Sequence, residues 1–319
     1  MKTISEQLEA ITSIKTEIKN AIISRGAYMA DSDNFNNYAE AIKSIPDSTR
    51  YFGATCNDYF GVIDESGLLQ QSTQPVVLNF SGVKTITAQA LYYKFYSRNN
   101  IVSVNLGSVE NILENGLYCT FNSCVNINDA KFDSLTTVGE YGLKYAFDGC
   151  SGLTSIFFPL LQTIGSYGLS QAFSDCTNLA RIELPSLTHL KDRGLHQCFY
   201  RDTGIDSVDL SALQIVEQSG LASTFYNCSN IQSVDLSSLQ RVDSSALNNT
   251  FKGCTKLAKI SFPSLTSVQT DSFSSTGTFS GCTALTEIHF RADMLTAIEA
   301  TNGYSEKWGA TNATIYFDL

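Results

Sequence analysis

Residues 121–146 read FNSCVNINDAKFDSLTTVGEYGLKYA, and residues 147–172 read FDGCSGLTSIFFPLLQTIGSYGLSQA. Phe, Cys, Leu, Gly and Ala return at the same places, and the interval is not local to this pair. Phe95, Phe121, Phe147, Phe173, Phe199, Phe225 and Phe251 are each 26 residues apart, and Phe279 follows after 28. With each Phe taken as position 1, position 7 reads Ile101, Ile127, Leu153, Leu179, Ile205, Ile231 and Leu257. Positions 10, 12, 15, 18 and 23 are apolar in the same way. A unit this short cannot bury an apolar face alone, so such columns predict stacked coils that bury it against their neighbours.

Counting back from Phe95 places a degenerate first coil at 69–94, with Leu78, Phe80, Val83, Ile86 and Leu91 in the apolar columns but without the Phe and Cys. Positions 9–12 alternate, which predicts one short parallel strand per coil with positions 10 and 12 facing inward. Glycine at position 22 (Gly116, Gly142, Gly168, Gly194, Gly220) marks a tight turn, where a side chain would lack space or demand an unfavourable dihedral.

The chain has 319 residues, 43% hydrophobic and 16% charged, ample for a continuous core. A net charge of −10 with no Lys/Arg cluster argues against a nucleic-acid partner, whose binding is driven by clustered cations. The start, Met1-Lys-Thr-Ile-Ser-Glu-Gln-Leu, lacks the basic and apolar regions of a signal peptide. No window approaches a membrane span, so neither export nor membrane insertion is expected.

Nine cysteines include six at position 4: Cys124, Cys150, Cys176, Cys228, Cys254 and Cys282. Asp202 interrupts them. An odd total and two runs of three favour a ladder of buried free thiols over disulfides or metal ligation.

The pattern L-x-x-I-x-L at positions 7–12, preceded by Phe-x-x-Cys and followed by Leu135, Leu161, Leu187, Leu213, Leu239 or Leu265, resembles the BspA-like (treponemal-type) leucine-rich repeat over residues 69–290. The expected fold is an α/β repeat solenoid with short parallel strands on one face, closed by a C-terminal cap at 291–319 with a final strand and Trp308 as its lid. Relatives of such a fold are adhesive, which the resemblance implies as a role here.

Residues 1–48 read as a separate helical module. Ile4, Leu8, Ile11, Ile18 and Ile22 form a heptad seam with Lys15 in its gap, which fits either a coiled coil or an amphipathic helix packed on its own chain. A second helix follows Asp31-Ser-Asp-Asn and ends at Pro46, and 49–68 read as a linker hairpin. The run Ile18-Lys-Asn-Ala-Ile22-Ile-Ser-Arg-Gly26 with Phe35-Asn-Asn-Tyr38-Ala-Glu-Ala-Ile42-Lys-Ser-Ile45 resembles a segment near the start of tail and baseplate-associated proteins of phages of gut bacteria. The resemblance implies a virion protein joined to other tail or baseplate proteins through residues 1–48, self-associating, with a trimer favoured. A bacterial BspA-like surface protein is the alternative.

Three histidines, His189, His196 and His289, lie too far apart in the repeat to share a metal, and no Gly-rich phosphate loop precedes a helix, so no enzyme activity or cofactor is expected. Binding is better sought in the exposed columns of the strands: Lys131, Phe157, Glu183, Asp209 and Asp235 at position 11 and Arg181 at position 9. The opposing reading makes Glu183, Asp209 and Asp235 a solvated acidic stripe that blocks association. Tyrosines on the turns, Tyr141 and Tyr167 among them, form a second candidate surface, and the ligand is expected to be a host cell-surface protein or glycan.

Overall fold

Each coil has apolar residues at positions 10, 12, 15, 18 and 23, and polar ones between, so it bends inward at every apolar site. The computed structural model describes residues 75–80, 82–274 and 277–319, and there the chain winds as a parallel-strand solenoid of about nine turns with little helix. The helical module expected at 1–48 and the hairpin at 49–68 lie outside the described residues, as does the start of the first coil.

Two strands form per coil. In the coil that begins at Phe147 they are Ser155–Phe157 and Thr163–Ile164. The first set stacks from Val76–Asn79 to Thr314–Phe317 in parallel sheets of three, four and three strands. Register within it follows the repeat, so Val208 pairs with Ile182 on one side and Val234 on the other. The second set, two residues per coil from Thr85–Ile86 to Ser267–Val268, makes one eight-stranded parallel sheet.

The α/β expectation is corrected in two ways. Parallel strands cover two sides of the coil, and the segment that would carry a helix in an α/β repeat is a ribbon of successive turns. Along this ribbon N–H groups alternate: Tyr141, Leu143, Tyr145 and Phe147 donate to Ser166, Gly168, Ser170 and Ala172 of the next coil at 2.8–3.1 Å, while Gly142, Lys144 and Ala146 donate three residues back. A helix would satisfy every donor within its own segment; the ribbon sends half of them to its neighbour.

That alternation requires a left-handed residue every fourth place, such as Tyr141 (φ 53°), Tyr145 (φ 57°) and Gly149 (φ 72°). A side chain in this region costs roughly 1–2 kcal/mol, offset here by bonds between coils and the core beneath. Position 22, where glycine recurs, is not left-handed. A Cβ at Gly168 would stand 2.7 Å from Cγ2 of the fully buried Ile164 and 3.0 Å from the Gly165 carbonyl, so space selects glycine there.

The core is a set of columns. Phenylalanines 95 to 279 at position 1 are fully buried and stack ring on ring, with centroids 5.0–5.9 Å apart. Each Phe carbonyl accepts the N–H of the residue three on, a Cys in six of the coils, which leaves a second lone pair facing the interior. The next coil's cysteine satisfies it: Cys124 Sγ donates to Phe95 at 3.0 Å, Cys150 to Phe121 at 3.1 Å and Cys282 to Phe251 at 2.9 Å. The eight cysteines among the described residues are buried and free. The residue just before the next Phe carries a second ladder of the same kind, in which Thr120, Thr224, Thr250 and Thr278 donate to Leu91, Leu195, Leu221 and Leu247 at 2.7–3.0 Å.

At the C-terminal end Thr314–Phe317 pairs in parallel with Glu287–Phe290, and a short helix, α1 (Leu295–Glu299), intervenes. Trp308 is fully buried, stacked 4.6 Å from Phe273 and edge-on to Phe279 and Phe290. Its carbonyl accepts the Phe279 N–H at 3.0 Å, a bond that inner coils make to the residue at position 26, 25 residues on. Trp308 thus supplies both the ring and the acceptor that a further coil would have provided.

Candidate functional site

Because the even strand positions turn inward, position 9 and 11 side chains stand on the outer face of the first strand set. Glu183, Asp209 and Asp235 occupy adjacent strands in register. Arg181 pairs with Glu183, and its guanidinium lies 5.5 Å over the ring of Phe157, which is 38% exposed. Asp209 and Asp235 each accept one backbone N–H, from Ser211 and Ser237 at 2.9 Å. Arg181, Glu183, Asp209 and Asp235 line an open groove of about 580 Å³ with Lys259 and Ser261, and Phe157 lies outside it. Lys131 is exposed two coils before Glu183 and is not among the lining residues.

Tyr141 and Tyr167 stand elsewhere, on the turn ribbon, stacked 5.1 Å apart and half-buried. They are one end of a longer strip. Tyr92 stacks on Tyr118 at 4.9 Å, Tyr93 lies 6.0 Å from Tyr96 and 5.7 Å from Tyr118, and Tyr118 meets the edge of Tyr145 at 5.9 Å. Tyr92, Tyr93 and Tyr96 are each nearly half exposed. Lys144 joins the two groups, its Nζ 4.9–5.2 Å from the rings of Tyr141, Tyr145 and Tyr167, and desolvation lowers its pKa. Arg193 closes the end, donating to the Tyr167 hydroxyl at 2.6 Å. Desolvation also raises the phenols of Tyr118, Tyr141 and Tyr145.

Sequence reasoning missed Tyr92, Tyr93, Lys144 and Arg193. The signal was present: Tyr92, Tyr118 and Lys144 share position 24, and Tyr141, Tyr167 and Arg193 share position 21. Tyr200 and Tyr226 form a separate stacked pair at 4.8 Å.

The histidines serve separate local contacts. His189 meets Glu217 at 2.8 Å, desolvation lowers the pKa of His196, and His289 lies between Asp318 at 2.7 Å and Glu287 at 3.1 Å. Among the described residues no group of three or more His, Cys, Asp or Glu is arranged to hold a metal ion, and no helix is long and apolar enough to cross a membrane.

A family model for the BspA type leucine rich repeat region, in six copies, matches residues 78–170, 143–277 and 251–302. The chain belongs to this family. Its BspA-type repeats coincide with the coils that carry the Phe and Cys columns. Among solved structures, an internalin C2 from Listeria monocytogenes is 13% identical, covering 67% of this chain and 80% of its own, with a TM-score of 0.35. The internalin inlF from the same organism is 14% identical, covering 84% and 89%, with a TM-score of 0.24. No curated protein matches the chain in sequence.

Proposed function

We propose that this BspA-type repeat protein is a non-enzymatic virion component, tail or baseplate-associated, whose solenoid is an adhesion arm that binds a host cell-surface protein or glycan. The observation that carries the binding role is the tyrosine strip, seven rings over four adjacent coils with Lys144 and Arg193 among them. Tyrosine gives large contact area for little ordering entropy, and this much of it on one turn face is not needed to close a core that the Phe column already fills. The virion assignment rests on the likeness of residues 18–45 to phage tail proteins. In this reading residues 1–48 attach the arm to other tail or baseplate proteins and trimerise it.

Family membership favours a second reading, a bacterial BspA-like surface or host-interaction protein using the same strip. The two differ in where the protein is found: in purified phage particles for the first, on the bacterial envelope for the second.

The test is adsorption of the purified full chain to candidate host cells and its block of phage adsorption. The variant Tyr92→Ala/Tyr96→Ala is expected to weaken cell binding at least tenfold, because exposed aromatic anchors dominate such contacts, and to leave thermal stability nearly unchanged. Phe157→Ala/Asp209→Ala, on the strand face, is expected to change binding less than twofold. The opposite pattern would move the contact to the acidic strand face; a full chain that binds no host cell would end the adhesion reading.

A further inference from the structure

Asp202 stands where the cysteine ladder is broken. It occupies position 4, where the coils from Phe121 on otherwise place a thiol that donates to the Phe carbonyl one coil back, and the carbonyl that its own position faces is Phe173. The side chain is fully buried, and neither carboxylate oxygen has a hydrogen-bond partner. The Cys176 N–H, which favours the charged form, is already given to the Phe173 carbonyl at 3.3 Å.

The groups facing Asp202 are acids. From the preceding coils come Asp148, Asp175 and Cys176, from its own ribbon Cys198, and from the following coil Cys228. The cation next to it in sequence, Arg201, is exposed, with its guanidinium 4.9 Å over the Tyr200 ring. A carboxylate here would be dehydrated, unpaired and set against a carbonyl oxygen, an arrangement that is among the costliest in a protein interior.

The geometry points to a different state: Asp202 is held as the neutral acid, its O–H takes the place of the thiol on the Phe173 carbonyl, and loss of that proton loosens the stack between the coils beginning at Phe173 and Phe199. The solenoid thus contains a pH-sensitive joint that divides the ladder into two runs of three cysteines. Desolvation, the main cause, raises the carboxyl well above its ordinary value. The sign follows from linkage. The unfolded chain releases this proton near pH 4 and the folded chain only at higher pH. Asp202 therefore contributes its full share of stability below about pH 4, and loses it progressively as pH rises toward the folded value. Because each coil rests only on its neighbours, the loss is felt locally first.

Urea unfolding of the full-length chain between pH 5.5 and 7.5 tests the joint, with Asp202→Cys restoring the ladder and Asp202→Asn keeping the shape without the titration. The unfolding constant of the unmodified chain, divided by that of either variant, is expected to rise with pH, at most about tenfold per unit, up to the pH at which the folded carboxyl ionises. Hydrogen exchange should quicken first in residues 173–228. A ratio that stays within twofold across this range for both variants would overturn the proposal, since Asp202 would then be ionised in the fold throughout it.

Discussion

Raised from pH 8 to pH 10, the solenoid is expected to unfold cooperatively. Burial pushes the thiols of Cys124 and Cys282 up to about 12, and Cys150, Cys176, Cys228 and Cys254 are raised by the same cause. In the unfolded chain a thiol ionises near pH 8.5, so each ladder cysteine contributes fully below that value and loses its contribution as pH climbs toward the folded one. At pH 10 the loss is about 2 kcal/mol for each of Cys124 and Cys282, and the four more deeply buried thiols add to it in the same direction. The phenols of Tyr118 and Tyr145, raised by desolvation, act in the same direction. A circular-dichroism titration should therefore show a steep transition between pH 9 and 10.5. Replacing one ladder cysteine by alanine should reduce its steepness by one proton. Secondary structure that persists unchanged to pH 11 would mean that the ladder thiols are not kept protonated by the fold.

The second large effect is expected at the C-terminal end. Trp308→Ala removes a fully buried ring that contacts Phe273, Phe279 and Phe290, and such truncations cost about 3–5 kcal/mol. In a stack of coils coupled to their neighbours the loss should not spread evenly. Hydrogen-exchange protection should fall over residues 251–319, where the Phe279 N–H to Trp308 bond holds the last coil, and persist near Phe121–Cys176. Trp308→Phe, which keeps a ring at the site, should recover most of the difference. Uniform loss of protection along the chain would contradict end-capping as the role of this residue.

Much of this fold is legible in the sequence because the same residue recurs at the same place. Phe at position 1 and Cys at position 4 can only be core columns once the 26-residue interval is seen, and Asp202 is visible as an exception before its surroundings are known. The turn ribbon is not legible in that way. Its left-handed positions carry Tyr141, Arg193, Gln197 and Ser223 rather than glycine, since bonds to the next coil impose the conformation against local preference. The second strand set was equally hidden: Thr163–Ile164 is too short to show alternation, and only pairing with Thr137–Val138 and His189–Leu190 makes it a strand. At the candidate site, Tyr141 and Tyr167 are recognisable as turn tyrosines. Their joining to Tyr92 and Tyr118 through Lys144 depends on distances between coils that no single repeat contains.

A continuous column of stacked phenylalanines runs through the coils, joined at position 4 of six of them by a free buried thiol, and thiol labelling puts this core to the test. The full chain is exposed to an alkylating reagent at pH 7.5, with and without denaturant, and the modified cysteines are mapped by mass spectrometry. The prediction is that Cys124, Cys150, Cys176, Cys228, Cys254 and Cys282 stay unmodified and unpaired in the native chain, and that all six are alkylated together once it unfolds. Disulfides among them, or native labelling as fast as that of the unfolded chain, would contradict it.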